Sequence, residues 1–319
     1  MFKSLNAVHV LVFALLVAYL HAPAQSDNII AKQMDPAASS GFAGNILLLT
    51  AHPDDECMFF APTILALAAL QRPSVSSRDR ASTSSLYSLC MSVGNADGLG
   101  PIRKFELESS LDLLGVDTDK RLIVDHPDLQ DNFTVYWDAQ VIASVLKPYV
   151  LENRINTVNL PHFTVIRGAH CPQILTFDHQ GISGHPNHKS LPAGVKQLMS
   201  TLKEVRLFTL ISTPVVPKYG GILAPSLAKF DLYASSLLHF LEARLVRLLA
   251  LLNISVTPAP KTTSPPDVMP VFVSGIKEQW TAVQAMRAHT SQMVWFRWLY
   301  VMFSRYMWVN EWNEVKLVG

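Results

Sequence analysis

Cysteine and charge are both scarce in this chain of 319 residues. Its three cysteines, Cys57, Cys90 and Cys171, are too few and too scattered for a disulfide framework or a thiolate metal site, which favours a reducing, cytosol-facing location. Charged residues make up 16% of the chain and the formal net charge is +1, so the basic footprint of a nucleic-acid-binding protein is absent. Because 49% of the residues are apolar, we expect some contact with a membrane.

One long apolar run is present, and it lies at the N-terminus. From Ala7 to Ala24 the chain reads AVHVLVFALLVAYLHAPA, which is just enough for a helix of roughly 18–20 residues to cross a bilayer. Lys3 before the run and the small residues Ala22 and Ala24 after it also resemble a cleaved secretory signal. We therefore expect residues 1–24 to be a membrane anchor or a signal, with a polar linker over residues 25–44.

Residues 45–256 alternate short apolar runs with helical stretches, a pattern that predicts an α/β fold: a Rossmann-like three-layer fold with a mainly parallel sheet. The candidate strands are Asn45–Thr50, Leu86–Val93, Arg121–Val124, Ile174–Phe177 and Leu207–Ser212. The candidate helices are Met58–Leu70, Ile102–Leu114, Asp138–Leu151 and His188–Leu202. A Pro-rich loop over residues 257–270 then leads into an aromatic, membrane-proximal part of the same domain, residues 271–319. Active sites of open α/β sheets lie at the carboxyl ends of strands, so the residues after Thr50 and Phe177 are the first candidates.

A charged cluster follows the first predicted strand. The sequence AHPDDE puts His52, Asp54, Asp55 and Glu56 on the turn that leaves it. Several carboxylates beside apolar side chains are costly to bury unless a cation compensates their charge. An N-cap role would explain one of these carboxylates but not three with a histidine.

A second cluster follows the strand that ends at Phe177. The chain there reads TFDHQGISGHPNHKSL, with His185 and His188 three residues apart at a turn into a helix. An isolated pair of this kind is usually structural, but two such histidines can also face one ion. Combined with the cluster after the neighbouring strand, they predict a shared metal site.

Four blocks, AHPDDE, GNADGLGPIRKFEL, TFDHQGISGHPNH and SQMVWFRWLYVMFSRYM, resemble the N-acetylglucosaminylphosphatidylinositol de-N-acetylases of glycosylphosphatidylinositol-anchor synthesis. The resemblance runs, with gaps, from about Asn45 to Trp308. It implies an endoplasmic-reticulum membrane enzyme, its catalytic domain facing the cytosol, that converts N-acetylglucosaminyl-phosphatidylinositol and water to glucosaminyl-phosphatidylinositol and acetate. The alternatives are a deacetylase of a soluble N-acetylglucosaminide and a catalytically silent membrane scaffold. The aromatic C-terminal block argues against the first, and the intact clusters argue against the second.

The resemblance also implies roles for single residues. It makes His52, Asp55 and His188 the ligands of a divalent metal, and this set suits zinc, or ferrous iron, better than calcium or magnesium. Asp54 is then the candidate general base. His185, if protonated, could stabilise the oxyanion, and either His185 or Asp54 could protonate the departing amine.

Two positions stay open within the resemblance. Bacterial relatives carry a tyrosine where this chain has Ser183, which is too short for the same reach, so the identity of the general acid is unsettled. Arg103, in the IRKFEL block, could bind inositol or phosphate oxygens of the glycolipid substrate with its planar fork. It could equally pair with a nearby carboxylate on the helix surface.

Two further stretches predict lipid contact. Eight aromatic residues fall between Trp295 and Trp312, a composition typical of the headgroup region. The mostly apolar stretch Ala234–Leu252 is interrupted by charged residues that a spanning helix tolerates poorly. We expect both to be interfacial or core helices.

Residues 158–173 fit neither the fold nor the resemblance. Deleting Val158 to Gln173 leaves RINTILTFDHQGISGHPNHKSL, a continuous strand followed by the histidine turn. Valine codons begin with GT, and the codons of Cys-Pro-Gln can end in CAG, as intron boundaries do. We therefore hypothesise a retained intron, the alternative being a genuine surface excursion.

Overall fold

The computed structural model describes residues 7–26, 45–71, 85–152, 172–251 and 270–316, and an eight-stranded sheet runs through them. The strands are Ala24–Gln25 (β1), Ile46–Thr50 (β2), Leu86–Cys90 (β3), Arg121–Ile123 (β4), Gln173–Phe177 (β5), Arg206–Leu210 (β6), Val271–Val273 (β7) and Val309–Val315 (β8). The helices are Ala7–His21 (α1), Asp55–Phe59 (α2), Ala61–Gln71 (α3), Gly100–Leu114 (α4), Ala139–Glu152 (α5), Gly181–Gly184 (α6), Pro186–Thr201 (α7), Val215–Lys218 (α8), Leu223–Leu251 (α9), Ile276–Ala288 (α10) and Trp295–Phe303 (α11). Short 3-10 helices cover Thr118–Lys120, Thr290–Gln292 and Arg305–Met307.

The predicted α/β fold with a mainly parallel sheet is confirmed. The strands lie in the order β1-β7-β8-β6-β5-β2-β3-β4, and the five from β4 to β6 are parallel. Each strand predicted between residues 45 and 212 is present, with ends that shift by a few residues. The apolar run of β2 is fully buried, as expected of a strand covered on both faces.

The sheet winds in two directions from its centre. Strands β2, β3 and β4 follow one another towards one edge, whereas β5 and β6 run towards the other. Because crossovers between parallel strands are right-handed, this reversal places α3 and α4 on one face and α7 on the other. Helix α10 packs on α4 and α3, and α5 packs on α7. The reversal falls between β2 and β5, which makes their carboxyl ends the natural position for a ligand.

Three sequence-based expectations need correction. The helix predicted over Met58–Leu70 is two helices, α2 and α3, that meet at Phe60. The strands β7 and β8 were not predicted, and they extend the sheet with antiparallel pairs. The aromatic stretch from Trp295 to Trp312 is helical only as far as Phe303, because its last part enters β8, where Trp312 is fully buried against Phe60.

The N-terminal run forms a shorter helix than its sequence allows. Helix α1 has 15 residues and ends at His21, before Pro23 and the short strand β1. Of the helices in the described ranges, none is both long and apolar enough to cross a bilayer. Buried Lys229 in α9 fixes the end of α1 by donating hydrogen bonds to the carbonyls of Tyr19, Leu20 and Ala22 at 2.8, 3.1 and 2.6 Å.

Several segments that the sequence analysis singled out lie wholly or mostly outside the described residues. These are most of the linker 25–44, most of the loop 257–270, and the suspected intron from Val158 to Cys171. Gln173, the last residue of that suspected intron, is the buried first residue of β5 and is paired with Ile46 and Arg206. The intron hypothesis and the division of the chain into segments stay predictions.

Candidate active site

The two clusters that follow β2 and β5 meet at the carboxyl ends of these neighbouring strands. His188 Nε2 lies 3.3 Å from His52 Nδ1 and 3.2 Å from Asp55 Oδ1. All three side chains are at least nine-tenths buried. The turn after one strand and the helix after the other therefore deliver two imidazoles and one carboxylate to a single point.

Each of the two imidazoles is hydrogen-bonded through one ring nitrogen, and this determines which nitrogen faces the other site residues. His52 Nε2 lies 3.0 Å from Asn187 Oδ1 and 3.3 Å from Asp131 Oδ1, so it carries the hydrogen and leaves Nδ1 free to bind. His188 Nδ1 donates to the Gly181 carbonyl at 3.1 Å, so Nε2 is the nitrogen that faces His52 and Asp55.

The carboxylate of Asp55 is oriented in the same way. Its Oδ2 accepts the backbone N–H groups of Ala51 and His52, both at 2.9 Å, so that Oδ1 faces the imidazoles. Burial would raise the pKa of this carboxyl, but His188 and His52 outweigh that effect and lower it. Asp55 is therefore an ionised oxygen donor.

This donor set fits a divalent cation. Ligand atoms about 2.0–2.1 Å from a tetrahedral ion lie about 3.3–3.4 Å apart, close to the separations of 3.2 and 3.3 Å found here. Two imidazole nitrogens with one carboxylate suit zinc or ferrous iron. One ring nitrogen from each of His52, His185 and His188 lies within 4.8 Å of the others, so His185 adjoins the same point.

Asp54 lines the same cavity but is held apart from the imidazoles by arginines. Its Oδ2 lies 3.2 Å from Arg297 Nη2 and 3.7 Å from Arg103 Nη2. Burial raises the pKa of its carboxyl, although both arginines oppose the effect. Its backbone has φ of 116°, a conformation that non-glycine residues rarely adopt and that tends to occur at functional sites.

His185 is largely buried, and its environment disfavours a positive charge. It caps α7 by accepting the Asn187 N–H at Nδ1, so Nε2 carries the hydrogen, 3.7 Å from Asp131 Oδ1. Burial, followed by His52 and His188, lowers the pKa of His185 to about 4. The protonated form considered from the sequence is therefore disfavoured, and the group offers a neutral N–H donor.

Arg103 is buried in the cavity wall rather than exposed on the helix surface. It donates to the Pro53 carbonyl at 2.6 Å and to the Gly94 carbonyl at 3.0 Å, and it lies 3.3 Å from Asp131. Most of its fork is thus occupied by the protein. This geometry favours a role in holding the turn that carries His52, Asp54 and Asp55 over the predicted role in binding phosphate.

Ser183 has a partner that the sequence did not suggest. Its hydroxyl lies 3.1 Å from His188 Nδ1 and 3.3 Å from the Gly181 carbonyl. The tight turn needs Gly181, because its φ is +66° and a Cβ there would lie 2.9 Å from the Cβ of His188. Ser183 therefore supports the orientation of His188, and the identity of the general acid stays open.

Sequence reasoning missed three contributors to the site: Asp131, Asn187 and Arg297. Asp131 follows β4 at the same edge of the sheet, so the strand-end rule that selected the two clusters could have found it. Asn187 lies inside the HPNH block itself, between the two histidines. Arg297 lies in the aromatic block, and nothing in the local sequence indicates that it reaches Asp54.

A second buried polar cluster lies directly behind the candidate site. Glu56 Oε1 lies 2.7 Å from His289 Nε2 and accepts the Ser110 hydroxyl at 2.5 Å, while Oε2 accepts the N–H of Asp54 at 3.0 Å. Glu56 and His289 are both completely buried. This pair ties the turn that carries Asp54 to the end of α10.

Replacing His289 by alanine should lower the free energy of unfolding by about 3–5 kcal/mol, because it leaves a buried carboxylate without its partner. Chemical denaturation followed by circular dichroism measures the loss. Arg287→Ala, an exposed change on the same helix, is the matched control and should have little effect. Equal stability of the two variants would contradict the ion pair.

The site opens into a cavity of about 870 Å³ with a polar end and an apolar side. His52, Asp54, Asp55, His185 and His188 form the polar end. The apolar side is formed largely by aromatic residues: Phe59, Phe133, Tyr219, Phe296, Tyr300 and Phe303. A cavity of this kind suits a ligand with a polar reacting group and an apolar portion.

Fold and site together define a class: an α/β protein with a candidate metal-hydrolase centre at the switch point of its sheet. The chain belongs to the PIG-L family, described as GlcNAc-PI de-N-acetylase, which residues 47–199 match. It is 36% identical over 282 residues to the N-acetylglucosaminyl-phosphatidylinositol de-N-acetylase of Bos taurus, covering 88% of this chain and 87% of the relative. The enzyme of the same name from Arthroderma benhamiae is 32% identical over 303 residues, covering 83% and 85%. The family resemblance noted from the sequence is thereby confirmed.

Among solved structures, the N,N'-diacetylchitobiose deacetylase from Pyrococcus horikoshii overlaps 98% of this chain and 95% of its own length. The TM-score is 0.47 and the identity is 14%. The overlap is too loose to support any inference about the site.

Proposed function

We propose that this protein hydrolyses the N-acetyl group of N-acetylglucosaminyl-phosphatidylinositol to give glucosaminyl-phosphatidylinositol and acetate, the second step of glycosylphosphatidylinositol-anchor synthesis. The observation that carries the proposal is the convergence of His52, Asp55 and His188, each oriented by its own partner, in a chain related over 88% of its length to an enzyme named for this reaction. The cavity, polar at one end and aromatic along its side, suits a glycolipid.

We assign His52, Asp55 and His188 as ligands of a divalent cation, zinc in the first instance. Bound there, the cation would lower the pKa of a water molecule and polarise the acetamide carbonyl. The protein contributes the fixed geometry, because Asn187, Asp131, Gly181 and two backbone amides hold the three ligands. The ring nitrogens that converge with Asp55 Oδ1, Nδ1 of His52 and Nε2 of His188, are the ones that would bind the cation.

Asp54 acts as the general base in this proposal. It takes a proton from the attacking water at a carboxylate oxygen while Arg297 and Arg103 hold that carboxylate in place. The proton then passes to the nitrogen of the departing glucosamine. Ser183, hydrogen-bonded to His188, does not take part in this transfer.

His185 stabilises the oxyanion of the tetrahedral intermediate as a neutral donor. Its Nδ1 is occupied by the Asn187 N–H, so only Nε2–H is available to the substrate oxygen. We retain Arg103 as a residue that positions Asp54 and Asp131, with direct contact to the substrate as the second possibility.

The proposal extends to location. We place the enzyme at the endoplasmic-reticulum membrane with its catalytic domain in the cytosol, as the family resemblance implies. The two cysteines in the described ranges, Cys57 and Cys90, are free and buried, in keeping with a reducing compartment.

Two substrates offered side by side test the function. The full-length protein should release acetate from N-acetylglucosaminyl-phosphatidylinositol much faster than from free N-acetylglucosamine, and a strong chelator should abolish both activities. Adding zinc back should restore turnover. Equal rates on the two substrates would favour a deacetylase of soluble sugars, and no acetate from either would favour a silent scaffold.

A further inference from the structure

An exposed apolar surface lies on the segments that form one wall of the cavity. It comes from two segments: α8 with the loop that follows it, and α11. We call it the rim surface, and its most prominent members are Val215, Val216, Ile222, Trp295, Trp298 and Met302. Val216 is 86% exposed and Trp295 is 76% exposed. Aromatic and aliphatic residues clustered in this way on a surface usually mark an interaction site.

The two segments are directly joined. The N–H of Gly221 donates to the Phe303 carbonyl at 2.9 Å, which holds the loop after α8 against the end of α11. Lys218 donates to the Ile182 carbonyl at 2.7 Å, which ties α8 to the turn before His185 and His188. The rim surface is thus built onto the same elements that carry the histidines.

Helix α11 presents two parallel stripes. Phe296, Leu299 and Phe303, spaced three and four residues apart, line the cavity. Trp295, Trp298 and Met302 have the same spacing and lie beside them on the exposed surface. The apolar wall of the cavity therefore continues outward into the rim surface without a polar boundary along this helix.

The charge of the two segments is of one sign. Residues 213–230 and 290–304 contain no carboxylate, and of their three cations Lys229 is buried against the end of α1. Lys218 and Arg297 both line the cavity. Arg297 is paired with Asp54, which leaves Lys218 as the cation of the cavity wall without a carboxylate partner in the described residues. A surface of tryptophan and aliphatic side chains that lacks carboxylates and adjoins this lysine complements the headgroup region of a leaflet containing anionic lipid.

We propose that the rim surface rests in the headgroup region of a lipid leaflet, so that the cavity opens onto the membrane and receives the sugar of a glycolipid whose acyl chains stay in the bilayer. This deepens the proposed function and rests on it for the identity of the substrate. It makes α8 and α11 a membrane contact in addition to whatever the N-terminal segment provides.

A dye that reports polarity tests the contact directly. Cysteine introduced at Val216 is labelled in a Cys171→Ser background of the full-length chain, where Cys57 and Cys90 are buried. Phosphatidylcholine vesicles containing some phosphatidylinositol should shift the emission of this dye to the blue. The matched control is a dye at Phe105, which is 74% exposed on α4 and should show no shift. A dye at position 216 that stays in water on vesicle-bound protein overturns the proposal.

A second experiment separates docking from chemistry. The double variant Val216→Glu with Trp295→Glu should lose about 10-fold or more of its activity on vesicle-borne substrate. The reason is that carboxylates replace the apolar side chains that would enter the lipid leaflet. Its activity on the same sugar-inositol phosphate without acyl chains should be unchanged. The control pair, Phe105→Glu with Leu113→Glu on exposed positions of α4, should leave both activities intact.

The outcomes are distinguishable. If no acetate is released from either substrate by the unmodified protein, the proposed function fails, while the dye still reports whether the surface meets lipid. If acetate is released but both double variants behave alike on vesicles, the membrane contact is wrong. A rim surface that buries itself in a second copy of the chain, seen as a dimer that the double variant dissociates, would also overturn it.

Discussion

Asp54→Asn should lower kcat by about 100- to 10,000-fold while leaving the content of bound metal close to that of the unmodified protein. The substitution removes the basic oxygen but keeps the shape of the side chain. Asparagine also tolerates the unusual backbone conformation at this position, where φ is 116°. Because Asp54 faces Arg297 and Arg103 rather than the imidazoles, the donor atoms of the proposed metal site should stay in place.

Two ligand variants complete this test. Asp55→Ala and His188→Ala should lose both metal and turnover, because each removes one of the three proposed donor atoms. Elemental analysis of the three purified variants, alongside acetate release, separates the two roles. Equal metal loss in Asp54→Asn would make Asp54 a ligand and would remove it as the base.

The core of the fold was predictable because its sequence signal is local. In the run NILLLT, successive side chains point to opposite faces of the sheet, and the apolar residues fall on both faces. A strand of this kind is stable in an open sheet when both of its faces are covered. The same reasoning found β5 and the helix after it. Strand β7 was missed because it is only three residues long, and strand β8 was missed because its sequence combines apolar and polar residues. The place of β8 beside β6 depends on long-range pairing such as Leu210 with Trp312.

The site divides in the same way. The sequence placed His52, Asp55 and His188 at the ends of strands, and the structure brings them together. It did not indicate how they are oriented, since Asp131 and Asn187 act through side-chain contacts across elements far apart in the chain.

Electrostatic state was the hardest property to predict. The sequence allowed a protonated His185 as the group that stabilises the oxyanion, but burial and two neighbouring imidazoles outweigh the carboxylates of Asp131 and Asp55 and lower the pKa of His185. One interpretation of Arg103 was a guanidinium group available to bind substrate, yet this group is buried and donates hydrogen bonds to two backbone carbonyls. In both cases the three-dimensional surroundings, which the local sequence does not record, decide what the side chain can do.

Asp131→Asn should weaken the binding of metal by about 10- to 100-fold and lower turnover with it, although Asp131 is not a proposed ligand. Its Oδ1 lies 3.3 Å from His52 Nε2, and its Oδ2 lies 3.3 Å from Arg103 Nη1. A neutral amide is a weaker hydrogen-bond acceptor than a carboxylate for the imidazole N–H. His52 is therefore less firmly oriented, and its opposite ring nitrogen becomes less basic. Arg103 keeps its bonds to Pro53 and Gly94, which should preserve the fold.

Titration of the apoprotein with zinc against a competing chelator measures the affinity, and acetate release at saturating zinc measures what excess metal restores. Asp128→Asn is the matched control, because Asp128 lies on the same loop with a side chain 69% exposed and should leave both properties unchanged. Recovery of turnover at high zinc would place the effect of Asp131 on His52 and the metal. Unchanged affinity with lost turnover would move its role to His185, the other imidazole that faces it at 3.7 Å.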